Sequence, residues 1–510
     1  MLPGLAVIAY LSAALSAHSG SARCALGVAR AASLFGLALS AGSLIALGLY
    51  GASTSVPVGI GDFGLTFRLD PLAAIMFALV AFIGYLVTEY SRNYLAGDER
   101  QNAFMGDLLL TVAAAIVVGT AANLLQLWVG WVAMSLALHR LLVFYRERRI
   151  ARVAARKKFI VARLGDTLLG VAFLALWQSF GTGDIASILA AAGEMTEVGV
   201  AIQAAALLIA IAAILKSAQF PTHGWITEVM DSPTPVSALL HAGIVNAGGF
   251  LLFRFADVIV LSPGSMHTLL IVGGFSAVFG SLVMTTQTNI KATLAWSTIA
   301  QMGFMLLQCG FGSFASAGLH LVAHSLYKAH SFLASGTAVE RAEIQRAVDG
   351  DQRPGTLALL ASLVAALGTF FGVGLLFDHS ISGSVAIQTL GLSFMIGLFV
   401  FLARGASSRL ILIRTVPAAI VAAALYFAVQ TGAAAYFAQQ VPPVPDVTAL
   451  DVFLAALILV SFAGVALLQI LPTPDTARWY RTAYVHLSNG LYANTLFNRL
   501  TGALRRDYAN

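Results

Sequence analysis

Residues Lys216–Arg254 read KSAQFPTHGWITEVMDSPTPVSALLHAGIVNAGGFLLFR and follow an apolar run, Ala201–Leu215, that ends on the lysine. Pro221 interrupts the helix this run predicts, and Pro233 and Pro235 break the chain again before the next apolar run, which carries His241. A charge in hydrocarbon is costly, and a broken helix at membrane depth is tolerated only where it lines protein or water. A lysine at such a break, followed by a histidine on the next span, predicts a hydrated polar path inside a bilayer. The alternative is a lysine snorkelling to the interface from a helix end.

Composition agrees with a membrane setting. The chain is 59% hydrophobic and 10% charged, against roughly 25% charged residues in soluble domains. Apolar runs fall at 2–17, 25–50, 71–90, 105–121, 123–144, 158–180, 200–230, 235–259, 267–286, 290–310, 314–340, 354–377, 385–403, 411–437 and 449–471. At about 20 residues per crossing they predict an all-α polytopic membrane protein of about 15 transmembrane helices. The first run lacks the positive flank of a signal peptide and reads as the first span. Cys24 and Cys309 lie apart, which excludes iron–sulfur and structural zinc sites.

Positive residues collect in loops on one side of a membrane, so the net charge of +6 speaks of topology and not of nucleic acid. The segment after the fifth run holds Arg146, Arg148, Arg149, Arg152, Arg156, Lys157 and Lys158, and alternate loops add Arg23, Arg92, Arg100, Lys291, Arg341, Arg346, Arg353, Arg404 and Arg409. The opposite loops hold Arg68 with Asp62, Asp184, Glu194, Glu197, Asp378 and Asp446. This segregation places the amino end outside and the carboxyl end in the cytoplasm. The expected divisions are helices 1–3 over 1–104, two five-helix segments over 105–259 and 260–403, further spans over 404–471, and a tail over 472–510. The tail mixes aromatics and arginines at helical spacing, as an amphipathic interfacial helix, a docking element or a basic tail on anionic headgroups would.

His320, His324 and Lys328 stand at i, i+4, i+8, one face of a helix. Histidines and buried lysines exchange protons near neutral pH, so this stripe suits proton relay. Haem ligation and a purely structural hydrogen-bond network are the other readings. His223 and Glu228 lie beyond the break. Glu228 reaches Lys216 only if the chain folds back, because twelve residues of straight helix span about 18 Å. His139 and Arg140 end the fifth run, with Arg140 read as a snorkelling interfacial charge. Arg163 and Asp166, three apart, predict a structural ion pair. A second interruption falls at GVGLLFDHS, where Asp378 joins the candidate path; matched interruptions in two segments point to a transport site.

LKSAQFPTHGW with DSPTPVSALLHAGIVNAGG resembles the signature of the proton-translocating antiporter-like subunits of respiratory complex I and multisubunit sodium/proton antiporters. FRLDPLAAIM, EYSRNYLAGDERQNAF, NLLQLWVGW, KKFIVARLGD and HLVAHSLYKAHSFLASG follow in the order of the large L-type subunit, over about residues 65–340. The resemblance implies two inverted five-helix repeats with broken helices and a wet central axis of lysines and histidines. It gives Lys216 and His241 the places of the break lysine and adjacent histidine, and His320, His324 and Lys328 that of the linking stripe. Two departures stand out. Val132 replaces the glutamate that partners the break lysine, and Asp378 with His379 replaces the second break lysine. His139, seven residues beyond Val132, is the expected substitute. The sequence also ends soon after its last span, so the long lateral helix of complex I is not expected.

LHRLLVFYRERR, HAGIVNAGGFLLFRFADV and YVHLSNGLYANTLFNRL resemble DabB-type membrane subunits of inorganic-carbon accumulation complexes. That resemblance implies a bacterial inner-membrane, proton- or cation-conducting subunit that is not itself an enzyme. It also implies a large soluble zinc-containing β-carbonic-anhydrase-like (DabA-type) partner that hydrates CO2, with no cofactor in this chain. The rivals are an L-type subunit of a complex I-like or sodium/proton antiporter assembly, and a scaffold that has lost its path.

Overall fold

The computed structural model describes residues 1–19, 22–59, 64–337, 355–377, 385–405, 409–470 and 478–500. The first helices are α1 (Leu2–Ser19), α2 (Ala22–Tyr50), α3 (Pro71–Tyr94), α4 (Gln101–Thr120), α5 (Leu124–Leu142) and α6 (Arg149–Phe180). Then come the short α7 (Ile185–Gly193), α8 (Val200–Lys216), α9 (Gly224–Glu228), α10 (Thr234–Ala242), α11 (Ala247–Arg254) and α12 (Ala256–Ile259). The chain continues through α13 (Pro263–Met284), α14 (Ile290–Gly310), α15 (Phe314–Leu333), α16 (Thr356–Leu376), α17 (Val385–Gly405), α18 (Arg409–Phe437) and α19 (Ala449–Ile470). Two tail helices follow, α20 (Arg478–Ser488) and α21 (Ala493–Leu500). Among the described residues, eleven helices are long and apolar enough to cross a membrane, and Val200–Lys216 and Thr389–Gly405 are shorter apolar helices. Among the described residues, strand pairing is limited to Ser53–Thr54 with Arg68–Leu69, antiparallel, and the isolated bridges Val58 with Leu65, Phe67 with Ala121 and Asn123 with Asp184.

Local chemistry starts and stops these helices. Asp70 caps α3 by accepting from Ala73 N at 2.8 Å, with Pro71 in the first turn. Asn123 caps α5 on Gln126 N at 2.8 Å. Gly181, at φ 69°, ends α6 in the left-handed conformation that glycine adopts without a Cβ clash.

The chain forms two compact units. The first holds residues 1–268, 320–333 and 492–510; the second holds 269–319 and 334–491. In the first, α1 packs on α4, α4 on α5, and α6 on α8. Its polar anchor is Asp70, whose carboxylate meets Arg254 of α11 through both oxygens and Arg68 Nε at 2.7 Å. Burial alone would raise this carboxyl; Arg254 and Arg68 beside it hold it below the usual carboxylate range. In the second, Leu270, Leu307, Phe311 and Ile458 form one core, and Phe370, Val373 and Phe427 another. Helix α20 joins this unit, with Tyr484 Oη donating to the Thr286 carbonyl at 3.3 Å.

Two expectations are corrected. Lys157 and Lys158, read as loop cations, lie inside α6 and are buried, because the helix begins at Arg149, well before the apolar run. The run 235–259, expected as one span, is itself interrupted. Gly243 (φ −124°, ψ −69°) ends α10, and a 3-10 turn, Ile244–Asn246, precedes α11. Arg140, read as an interfacial charge, stays largely exposed in the last turn of α5, where it pairs with Asp107 of α4 at 2.9 Å; Asp107 also meets His18 at 3.3 Å.

Candidate functional site

The break after α8 is sharp. Ser217 caps the helix, Ala218 takes a positive φ of 51°, and Phe220–Pro221 is a cis peptide. Lys216 Nζ is buried there with no hydrogen-bond partner among the described residues. It lies 4.2 Å from the centroid of the Trp131 ring, a cation–π contact that replaces part of its lost hydration. Its charge feels that of Asp166 of α6 without an ion pair between them. Trp131 joins the two, since its side chain also hydrogen-bonds the Asp166 carboxylate. Arg163 Nη2 approaches the same carboxylate at 2.6 Å. The Arg163–Asp166 pair is therefore present, and it belongs to the Lys216 cluster.

His139 falls elsewhere. It faces Lys158 and Arg163, hydrogen-bonds the Ala155 carbonyl and stands 5.4 Å from the Phe159 ring. Glu228 is not folded back on Lys216. It forms an ion pair with fully buried Lys157, and the tail completes the pair. Asn494 accepts from Lys157 Nζ at 3.0 Å and donates to Glu228 Oε1 at 2.7 Å, and Asn498 adds a donor at 3.2 Å. The approach needs a glycine: a Cβ on Gly224 would stand 1.9 Å from Asn494 Oδ1. His223, stacked on Phe220, feels the Lys157 charge. Helix α21 is thus a docking element for the broken segment.

The second break gathers the other candidates. His241 is fully buried, stacks on Phe332 with centroids 4.4 Å apart, and interacts with Lys328. His324 hydrogen-bonds the His241 backbone and lies 6.0 Å from His320, ring to ring. Asn246 donates to Ser325 Oγ at 2.6 Å. Beside Gly243 is a cavity of about 40 Å³, lined mostly by apolar groups with Thr111, Asn246 and Ser325 among them. That is room for one or two waters. The two breaks touch through Ser217 Oγ, which donates to the Val245 carbonyl at 3.1 Å. Gly248 permits this contact, since a Cβ there would meet Ser217 Oγ at 2.2 Å.

The candidates thus resolve into three groups: Lys216 with Asp166 and Arg163; Lys157, Glu228 and His223; and His241, His320, His324 and Lys328. Asp378 lies outside the described residues. The reading from sequence missed Trp131, Ser135, Lys157 and Lys158 as site residues. The two lysines head an apolar run, and that position was the one available signal.

The comparisons with known proteins place this fold among the antiporter-like membrane subunits. A family model described as NADH:quinone oxidoreductase/Mrp antiporter, transmembrane, matches residues 121–353, and one for the chain 5 N-terminus of complex I matches 56–105. The fold is that of a chain of the Mrp complex from Dietzia sp. DQ12-45-1b: the TM-score is 0.60 at 22% identity, over 99% of this chain and 57% of that one. The probable inorganic carbon transporter subunit DabB2 of Halothiobacillus neapolitanus is 35% identical over 88% of this chain and 82% of its own length. DabB of Hydrogenovibrio crunogenus is 43% identical over 61% of this chain and 60% of its own length, so the aligned stretch leaves much of that relative uncovered. The chain belongs to the DabB family of inorganic carbon transporter subunits.

Proposed function

We propose that this chain conducts protons, or another cation, as the membrane subunit of an inorganic-carbon-accumulating complex. A large soluble zinc protein related to β-carbonic anhydrases docks on its cytoplasmic side and hydrates CO2 to bicarbonate. The observation that carries the proposal is Lys216: an ammonium buried at a helix break, without a hydrogen-bond partner among the described residues, facing Trp131 and Asp166. An ionisable group at membrane depth is costly to keep and marks an ion or proton path. In this reading a proton entering from outside changes the charge balance at Lys216, Asp166, His241 and Lys328. The two breaks, joined at Ser217, are the element with two arrangements, and a partner that favours one of them is coupled to the proton. The amino end is outside and the carboxyl end is in the cytoplasm. The chain does no catalysis itself; the zinc stays with the partner.

Co-purification from the native membrane followed by metal analysis tests this reading. Zinc arriving with a second, soluble polypeptide supports it. A set of further membrane subunits or quinone-reducing machinery, without zinc, overturns it in favour of a complex I-like or antiporter subunit.

A further inference from the structure

We infer that Lys158 is a proton-exchanging group linking Lys216 to His139, an inference that rests on the proton-conducting reading above. Helix α5 presents Trp131, Ser135 and His139 at i, i+4, i+8, and α6 runs antiparallel along them. Trp131 meets Asp166 and the Lys216 ammonium. One turn on, the Ser135 carbonyl and hydroxyl accept from Lys158 Nζ at 2.5 and 2.9 Å. One turn further, His139 meets the Ala155 carbonyl. Successive rungs are about 6 Å apart along the helix, a gap that one or two waters span.

The charges argue against a purely structural lysine. The charged and titratable groups facing Lys158 are Lys216 of α8, Arg163 and Asp166 of α6, and His139 of α5. Three cations thus surround one carboxylate, and Arg163 stays charged throughout. A buried structural lysine is normally matched by a carboxylate of its own, as Lys157 is by Glu228. Lys158 has a serine instead. The surplus positive charge is relieved when one of the two lysines is a neutral amine, so that a single proton is held between them and leaves the cluster by way of His139. His139 Nδ1 is buried with no hydrogen-bond partner among the described residues and is available to accept.

The step balances without electrons. The Lys216 ammonium gives a proton through water to the Lys158 amine. The Lys158 ammonium gives it to His139 Nδ1, the imidazolium passes it to water beyond the end of α5, and Lys216 is reprotonated from the opposite side.

The test uses the full assembly, expressed with its native partner subunits in a carbonic-anhydrase-deficient host. Protonophore-sensitive uptake of radiolabelled inorganic carbon is measured per amount of chain in the membrane, beside the melting temperature of the purified complex. Lys158→Arg keeps donors for Ser135 but cannot release a proton, Lys158→Gln keeps one donor, and Lys158→Met keeps the volume. A loss of about tenfold or more in Lys158→Arg, with wild-type melting, supports a proton-transfer role. Wild-type uptake in Lys158→Arg or Lys158→Met overturns it, and so does failure of all three to accumulate, since a structural role then suffices. Absence of protonophore-sensitive uptake in the wild-type assembly refutes the functional reading itself, a result distinct from any of these.

Discussion

Neutralising Glu228 tests how the tail is held. Lys157 is fully buried, and its ammonium has one carboxylate, Glu228, and one neutral acceptor, Asn494 Oδ1 at 3.0 Å. Glu228→Gln keeps the shape, but its one amide oxygen cannot serve both Lys157 and the two asparagines, and the buried Lys157 ammonium loses its carboxylate. Removing one partner of a buried pair costs about 3–5 kcal/mol, and the remaining amide acceptor places glutamine at the low end, about 3 kcal/mol. With an unfolding entropy of about 2 cal/mol/K per residue, that lowers the melting temperature of 510 residues by about 3 °C. Glu228→Ala costs more, and the double replacement Lys157→Met with Glu228→Leu returns to within about 1 kcal/mol of wild type, because no unpaired charge remains. The assay is thermal unfolding of the detergent-solubilised protein, with tryptic cleavage at Arg499 reporting release of α21. Wild-type melting and cleavage in both Glu228 single variants would refute the argument. So would a double-mutant coupling below about 0.5 kcal/mol.

Gly224→Ala drives a methyl into Asn494 and is expected to free α21, raising cleavage at Arg499 with little change elsewhere; unchanged cleavage contradicts the docking geometry. Asp70→Asn leaves Arg254 without its counter-charge and is expected to destabilise by about 3–5 kcal/mol at neutral pH. Because the folded Asp70 carboxyl sits below its ordinary range, that contribution is complete above about pH 4 and is lost as pH falls through the depressed value. Melting curves of wild type and variant should run parallel from about pH 8 to 5 and converge only below about 4. Asp166→Asn removes the carboxylate that faces Lys216 and is expected to cut uptake by about tenfold or more while the chain still inserts. Uptake equal to wild type would remove Asp166 from the path.

Much of this was readable in advance because lipid enforces simple rules. Apolar runs located most helices, though α6 begins nine residues before its run, and prolines marked the first break. Sequence spacing could not tell which buried charges face one another. Glu228 sits on the segment that contains Lys216 yet pairs with Lys157, because the chain turns after Ser217 and does not fold back. The second break carries only Gly243, with no proline to announce it. Lys157 and Lys158 resembled an interfacial cluster because α6 extends a full two turns beyond its apolar stretch, and only packing against Ser135 and Asn494 reveals that they are inside. The absence of a carboxylate at Val132 was legible; that Asp166 lies near Lys216 required the fold.

The central claim is that Lys216 carries the transported proton. The most direct measurement is growth in air of a carbonic-anhydrase-deficient host that expresses the assembly with Lys216→Ala, at membrane levels matched to wild type. The account predicts that rescue disappears together with protonophore-sensitive carbon uptake. Undiminished rescue by the variant would contradict it and leave the chain a scaffold.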